Sequence, residues 1–236
     1  MTKEFEFSLW NYMKDIKWGE YVVIKHTSSD PTHLLFYILI RQLQEDNTPF
    51  IIVDVLDKLH LFKTHLMTAG IDTSIVNDIP VIKLGGIKHT GNIMSLIERV
   101  DISQDIPIWT RHYREALHRV EERFNNYIKI IVGVDALLQL YEENIWDLNI
   151  LMLSGFANML GDKRSKGFIF LNYSTLKSTT ILKLEEIFTR ILSVGLEENT
   201  LTLRIEKSIN FSEYRKEIKV NAQELQDYLI GPSPTK

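Results

Sequence analysis

The chain has 236 residues and no cysteine, and its 27 basic and 31 acidic residues give a formal net charge of −4. It is long enough for one substantial core, and its 44% hydrophobic and 25% charged residues are ordinary for a soluble globular protein. The composition excludes disulfides, thiolate metal sites and cysteine nucleophiles, and the acidic balance argues against nucleic acid or anionic lipid as a partner.

No targeting or membrane-spanning segment is predicted. The apolar run at residues 34–40 is too short to span a bilayer and is flanked by His33 and Arg41. The opening residues MTKEFEFSLW lack the layout of a signal peptide. We therefore expect a cytoplasmic protein that does not contact a membrane, and the lack of cysteine also fits a heat-adapted protein.

The first half of the chain alternates between apolar strands and amphipathic helices. Spacing, turn residues and β-forming composition predict helices at 5–16, 31–46 and 56–70 and strands at 21–25, 49–55 and 79–86. Residues 87–100 favour neither state.

The second half continues the alternation and ends in a ribbon. It is predicted to contain a helix at 106–127, a strand at 128–134, one or two helices within 136–161, a strand at 166–173, a helix at 181–193, two edge strands at 200–208 and 215–220, and a helix at 222–229.

The strands before Ser208 are continuous apolar runs, which indicates a sheet that is buried on both faces. We therefore predict a three-layer α/β/α fold with a mostly parallel central sheet and a C-terminal antiparallel edge. No linker interrupts the pattern, so residues 1–236 are assigned to a single domain, with a helical extension at 1–18 and a flexible tail at 231–236.

The loop after the first strand stands where many α/β proteins hold a phosphate. Aligned on the following helix with the phosphate-loop pattern GxxxxGK[ST], it reads Lys25, His26, Thr27, Ser28, Ser29, Asp30, Pro31 and Thr32. Only the final hydroxyl, Thr32, is retained. Asp30 places a negative charge beside the position of a polyanion, and Pro31 removes both a backbone donor and the lysine side chain.

Two interpretations of this loop remain. Lys25 and His26, together with the helix N-terminus, would suit a weak anion site. Alternatively, the stretch TSSDP is a capped start of a helix, with Ser29 or Asp30 as the cap and Pro31 in the first turn. Ordinary Mg·ATP binding is not expected under either interpretation.

The order of elements resembles the RecA-like ATPase core and, within it, the archaeal KaiC-type branch. The stretches YILI, KTHLxxAGIDTSI and VIKLGG are similar to a family from hyperthermophilic archaea that looks like a degenerate member of that branch without the phosphate-loop motif. The resemblance covers nearly the whole chain. It implies a P-loop-NTPase-type topology and, since RecA-like proteins usually assemble edge to edge, a homodimer or larger homo-oligomer.

In the RecA-like group an acidic residue after the second strand activates water, and another after an apolar strand supports magnesium. By this resemblance Asp54 and Asp57 lie near the first position and Asp135 near the second, although Gly133 is the alternative match for the second. Asp54 as the end of a strand, Asp57 as a helix cap and Asp135 as a helix N-cap are the structural alternatives.

The glycine-rich stretch 84–92, with Gly85 and Gly86, suits a turn that requires positive φ, or else an anion-binding nest. Helix residues 111–124 interleave acids with bases, which favours an ion-paired surface over a nucleic-acid surface. The histidines show no metal-ligand spacing, so no metal is predicted.

The leading functional hypothesis is a non-catalytic RecA-like scaffold that has lost ATP, needs no cofactor and acts through protein contacts. A peptide, protein or small anion would bind at the carboxyl ends of the strands, near Lys25, His26, Thr27, Ser28, Ser29, Asp30, Thr32, Asp54, Gly85, Gly86 and Asp135. The alternatives are a divergent nucleotide-binding ATPase or regulator, which would use Lys25, Thr32, Asp54 and Asp135, and a DNA-binding accessory protein, which the net charge disfavours.

Overall fold

The computed structural model describes residues 2–97 and 106–231, which form nine strands and eight α-helices. The strands are β1 (Tyr21–His26), β2 (Phe50–Val55), β3 (Pro80–Leu84), β4 (Asn92–Ile97), β5 (Tyr127–Val132), β6 (Ser165–Asn172), β7 (Arg190–Glu197), β8 (Thr200–Lys207) and β9 (Glu217–Asn221). The helices are α1 (Thr2–Lys14), α2 (Thr32–Glu45), α3 (Lys58–Thr68), α4 (Ile106–Glu121), α5 (Val134–Gln139), α6 (Ile145–Leu151), α7 (Ser178–Ile187) and α8 (Ala222–Ile230).

The strands of the described residues form one sheet in the order β4-β3-β2-β5-β6-β1-β7-β8-β9. All neighbours from β4 to β7 pair in parallel, whereas β7–β8 and β8–β9 are antiparallel. Every residue of β2, β5 and β6 is buried, as expected for strands covered on both faces. The predicted three-layer α/β/α class, with a mostly parallel sheet and an antiparallel edge, is confirmed.

Each face of the sheet has its own apolar core. Helices α1, α2, α3 and α8 pack on one face, where Ile128, Ile130 and Val132 of β5 point. Helices α4 to α7 pack on the other face, which receives Tyr127 and Ile131 of the same strand. Of the helices that the structure describes, none combines the length and apolarity that a membrane crossing requires.

The largest difference from the sequence prediction lies at residues 181–193. The helix predicted there ends at Ile187, Phe188 is extended, and Arg190 begins β7, which pairs with β1. The buried Arg190 side chain binds Glu20 at 3.0 Å and Glu213 at 2.5 Å. Pairing with β1 and this buried ion cluster, both distant in sequence, override the local helical pattern.

Two other predicted segments are resolved in part. Residues 92–97 of the ambiguous stretch 87–100 form the edge strand β4, and residues 98–100 lie outside the described residues. The predicted helix 106–127 ends at Glu121, because Tyr127 already pairs as the first residue of β5. Of the predicted tail at 231–236, only Gly231 belongs to the described residues.

Candidate functional site

The parallel strands β1, β2, β3, β5 and β6 end at one edge of the sheet. Open α/β sheets bind their ligands at this carboxyl edge. The sequence-predicted site residues all lie in these strand ends, in the loops that follow them or in the first turns of α2 and α5.

The loop between β1 and α2 is closed by one of its own carboxylates. Asp30 Oδ2 accepts hydrogen bonds from Thr27 N at 2.7 Å and from Thr27 Oγ1 at 2.8 Å. Asn172 at the end of β6 donates to Ser28 Oγ at 2.9 Å, and Thr27 Oγ1 lies 3.1 Å from Ser29 Oγ. A backbone donor that would be free for a bound anion is therefore already bonded to an anionic side chain.

Pro31 is the N-cap residue of α2, and it provides no side-chain cap. The predicted caps Ser29 and Asp30 do not fill that role, since the Asp30 carboxylate faces back to Thr27. Thr32, the retained hydroxyl, is the first residue of α2 and is buried.

Lys25 points away from this loop. Its ammonium binds Glu185 on α7 at 2.5 Å and Glu206 on β8 at 3.0 Å. Burial alone would lower the pKa of Lys25, but the two carboxylates raise it above the usual value. The two glutamates neutralise Lys25 at the β1–β7 side of the edge. Its charge is therefore used in internal ion pairs and does not face the β1–α2 loop.

His26 and Asp135 bring two unsatisfied polar atoms under the loop. Both side chains are buried, and within the described residues neither His26 Nε2 nor Asp135 Oδ1 has a hydrogen-bond partner. Burial lowers the pKa of His26 and nearby Lys58 lowers it further, against the opposing effects of the Thr27 carbonyl, Asp135 and Asp30. Burial therefore disfavours the protonated, charged form of this histidine.

Asp54 and Asp57 share one buried lysine. Lys83 Nζ lies 2.9 Å from Asp54 Oδ2 and 2.5 Å from Asp57 Oδ1. Asp54 also accepts from Leu59 N at 2.9 Å, so it caps α3 from the end of β2. Asp57, the predicted cap, stands at the N-cap position without making a side-chain cap bond.

The Asp57 carboxylate also binds the backbone of the glycine-rich turn that follows β3. Asp57 accepts from the backbone N–H groups of Ile87 at 2.8 Å and Lys88 at 3.0 Å. Burial would raise the pKa of Asp57, but Lys83 and these two amides lower it below the usual value. Gly85 and Gly86 both have positive φ, 65° and 82°, as the turn interpretation requires. The chain thus supplies its own anion to the amides of this turn.

Gly133 stands between β5 and α5, where the RecA-like pattern offers a place for an acid. Its φ is 83°, and a Cβ there would lie 2.3 Å from the carbonyl oxygen of Val55. No side chain fits at this position without moving the β2–α3 turn. Asp135, two residues later, lies in the first turn of α5 and is not its N-cap residue, which is Gly133.

The structure groups the predicted residues into two clusters and separates Lys25 from both. One cluster holds the loop 26–32 with Asp135, and the other holds Asp54 with Gly86. Sequence reasoning missed Lys83 and Asn172, and a lysine inside the apolar strand VIKL was the available signal for the first. Among the residues described, no group of three or more His, Asp or Glu side chains forms a metal-binding arrangement.

Solved structures with this architecture come from archaeal and ATPase proteins. PH0250 from Pyrococcus horikoshii OT3 is 23% identical, with a TM-score of 0.73 over 90% of this chain and 97% of that one. The flagellar accessory protein FlaH from Methanocaldococcus jannaschii is 14% identical, with a TM-score of 0.54 over 86% and 85% of the two chains. The KaiC-like protein PH0186 from Pyrococcus horikoshii OT3 is 13% identical, with a TM-score of 0.54 over 84% of each chain.

These likenesses show the fold alone, which is that of RecA-like P-loop ATPases. No curated protein matches the sequence. A family model described as "Pyrococcus protein of unknown function, DUF257" matches residues 11–219. The chain therefore belongs to the DUF257 family.

Proposed function

We propose that this DUF257 protein is a non-catalytic RecA-like scaffold, which has lost Mg·ATP binding at its first loop and acts through protein contacts as a homo-oligomer. The carrying observation is the Asp30 carboxylate, which accepts hydrogen bonds from both Thr27 N and Thr27 Oγ1 inside the loop. A nucleotide phosphate at this place would have to displace a charged hydrogen bond and then lie beside the same carboxylate.

The two positions where the loop would supply a cation support the same proposal. Lys25 is paired with two glutamates, and Pro31 stands where the phosphate-loop pattern has lysine. At the second candidate anion nest, Asp57 already accepts from the amides of Ile87 and Lys88. Internal carboxylates therefore already accept from backbone donors of both nests.

An exposed apolar stripe supports the proposed protein contacts. Trp146, Ile150 and Leu153 lie at helical spacing along α6 and the π-helical turn Met152–Phe156, and they are 76%, 44% and 65% exposed. Such a stripe is typical of a surface that another chain covers. A second copy of the chain is the proposed occupant, as the resemblance to edge-to-edge RecA-like assemblies implies.

A second candidate is a divergent nucleotide-binding regulator. The unsatisfied Nε2 of His26 and Oδ1 of Asp135 favour it, because most buried polar atoms are hydrogen-bonded and a ligand at this loop would supply a partner for both. This candidate requires Mg·ATP to bind with the loop rearranged. The DNA-binding alternative is supported only by the resemblance of the fold, and the net charge of −4 argues against it.

The deciding experiment is calorimetric titration of the full chain with Mg·ATP near pH 7, with a thermal-shift measurement alongside. We expect no binding up to millimolar nucleotide. Micromolar binding would overturn the scaffold proposal, and its loss in a Thr32→Ala variant would then place the nucleotide at the β1–α2 loop.

A further inference from the structure

A cavity lies on the face of the sheet that α2 does not cover, between β5 and the helices α4 and α6. Its volume is about 340 Å³, within the range of small-molecule sites, about 300–1,000 Å³. Most of its wall is aliphatic or aromatic, and the sheet side is formed by Val53, Val55, Leu84 and Ile131. This site shares no residue with the β1–α2 loop.

Five charged side chains line the cavity, and among them only Lys129 is buried, since Glu121 and Asp162 are half-buried and Arg114 and Arg164 are exposed. Lys129, in the middle of β5, is 3% exposed and lines the cavity. Its Nζ lies 5.6 Å from the ring centroid of Tyr21 and 5.8 Å from that of Tyr127. Within the described part of the chain, no hydrogen-bond acceptor or carboxylate lies at bonding distance from this ammonium.

The sheet register creates room for this arrangement. Gly167 on β6 stands opposite both Lys129 on β5 and Tyr21 on β1. A Cβ at Gly167 would lie 2.5 Å from the Tyr21 ring, so the glycine lets that ring lie flat over β6 next to the lysine. Tyr21 is fixed there by a 2.8 Å hydrogen bond with Ser165 Oγ.

The carboxylates nearest to Lys129 are held by another cation. Arg164 at the cavity mouth binds Glu121 at 2.7 Å and Asp162 at 2.9 Å. They influence Lys129 only over a distance, and burial still lowers the pKa of Lys129 to about 8. An isolated buried ammonium is costly, and an anion bound beside it would offset that cost.

We propose that this cavity binds a small apolar molecule bearing a single carboxylate, and that the Lys129 ammonium pairs with that carboxylate. The wall suits an alkyl or aryl body. Lys129 is the one buried cation of the described lining, because Arg164 is paired with Glu121 and Asp162 and Arg114 is exposed, and this single buried charge suits one carboxylate. The proposed carboxylic acid is a different ligand from a nucleotide, and the site is independent of the scaffold proposal.

The titratable and charged groups that face Lys129 are Tyr21, Tyr127, Tyr113, Arg114, Glu121, Asp162 and Arg164. The tyrosines stay protonated below pH 9 because burial raises the pKa of Tyr21, Tyr113 and Tyr127. Lys129 is therefore the group expected to titrate between pH 7 and 9. Carboxylate binding should weaken above about pH 8, approaching tenfold per pH unit, as the free lysine loses its proton.

The test is calorimetric titration of the full chain at pH 7 with octanoate and with octan-1-ol, which has the same chain length but no charge. We expect octanoate to bind at least about tenfold more tightly than octanol, the factor that one favourable charge contact of about 1.4 kcal/mol gives. Lys129→Met should abolish the difference and leave octanol binding in place. Lys163→Met, at an exposed neighbour of the cavity mouth that does not line the cavity, should bind as the unmodified chain does.

Equal binding of octanoate and octanol, no octanoate binding at millimolar concentration, or unchanged octanoate binding in Lys129→Met would overturn the proposal. If Lys129→Met does not fold, the pH series with the unmodified chain decides. If the affinities for octanoate and for octanol both stay constant from pH 7 to 9.5, the Lys129 ammonium does not pair with the carboxylate. These outcomes are distinct from those of the Mg·ATP titration, which probes the other end of β1.

Discussion

At the scale of single residues, two of the most buried cations form ion pairs that hold the fold together. Lys83 is 1% exposed and bridges Asp54 and Asp57, and Arg190 bridges Glu20 and Glu213 in the same way. Removing two charges from water is costly, and only close pairing offsets the cost. Each bridge also links segments that are distant in sequence, so it fixes the position of a strand end or loop.

Replacing Lys83 with methionine is expected to lower the free energy of unfolding by about 3–5 kcal/mol, the typical cost of breaking a buried pair. The reason is that Asp54 and Asp57 would keep their charges without the ammonium that neutralises them. Urea denaturation near pH 7 measures this change. Lys63→Met, at an exposed lysine bonded to Asn77, should change stability by about 0.5 kcal/mol or less.

A double substitution tests the assigned cause. Asp54→Asn keeps the acceptor for Leu59 N but removes the charge, so Lys83→Met combined with Asp54→Asn should unfold less easily than Lys83→Met alone. If the double variant is as unstable as the sum of both single variants, the loss at Lys83 comes from packing and not from charge.

The sequence singles out Asp54 because it ends an apolar strand, but it does not reveal the partner. Asp54 and Lys83 are 29 positions apart and meet only because β2 and β3 pair with these two residues in register. Asp30 shows the same limit. Its place in the β1–α2 loop was predictable from the sequence. The direction of its carboxylate, toward Thr27 and away from the start of α2, depends on the folded loop.

At the scale of elements, tight turns at the carboxyl edge decide which side chains are possible there. Leu56 and Asp57 both have positive φ, at 51° and 66°, and Gly133 packs against this β2–α3 turn. The close approach explains why the acid of the RecA-like pattern has no place at residue 133. The edge therefore combines strained backbone with internal ion pairs.

Gly133→Ala is expected to destabilise the protein by more than about 2 kcal/mol, because the methyl group would lie 2.3 Å from Val55 O and φ is 83°. Gly195→Ala on β7 is the matched control, since a Cβ there meets no atom within 4 Å. Thermal and urea unfolding of both variants provide the comparison. Equal stability of the two variants would contradict the tight contact at Gly133.

Element prediction succeeded where apolar runs are bounded by turn residues and failed where they are not. Strands β2 and β5 lie within one or two residues of the predicted ranges, and glycine or polar residues delimit them. At 181–197 no glycine or proline separates LEEIF from RILSV, so the periodicity of α7 runs into β7 without a boundary signal. The pairing of β7 with β1 and β8, together with the buried ion pairs of Arg190, determines where the helix ends.

At the scale of the whole molecule, the apolar stripe of α6 is the feature that the folded monomer leaves unexplained. Trp146, Ile150 and Leu153 are exposed on a helix whose other face packs through Leu148 and Leu151 into the core. Large aromatic side chains at the centre of a contact contribute a major share of association energy. The stripe and the proposed homo-oligomer therefore lead to one measurable expectation.

We expect sedimentation velocity to show the unmodified chain as a homo-oligomer at micromolar concentration and the Trp146→Glu variant shifted toward monomer. A buried glutamate without a partner would oppose association by several kcal/mol, whereas at an exposed monomer surface it costs little, so the fold should persist. Phe211→Glu is the matched control, because Phe211 is 84% exposed on the connection between β8 and β9 and lies outside the stripe. If Phe211→Glu dissociates the oligomer and Trp146→Glu does not, the contact lies at the antiparallel edge; a chain that is monomeric without any substitution would contradict the oligomer itself.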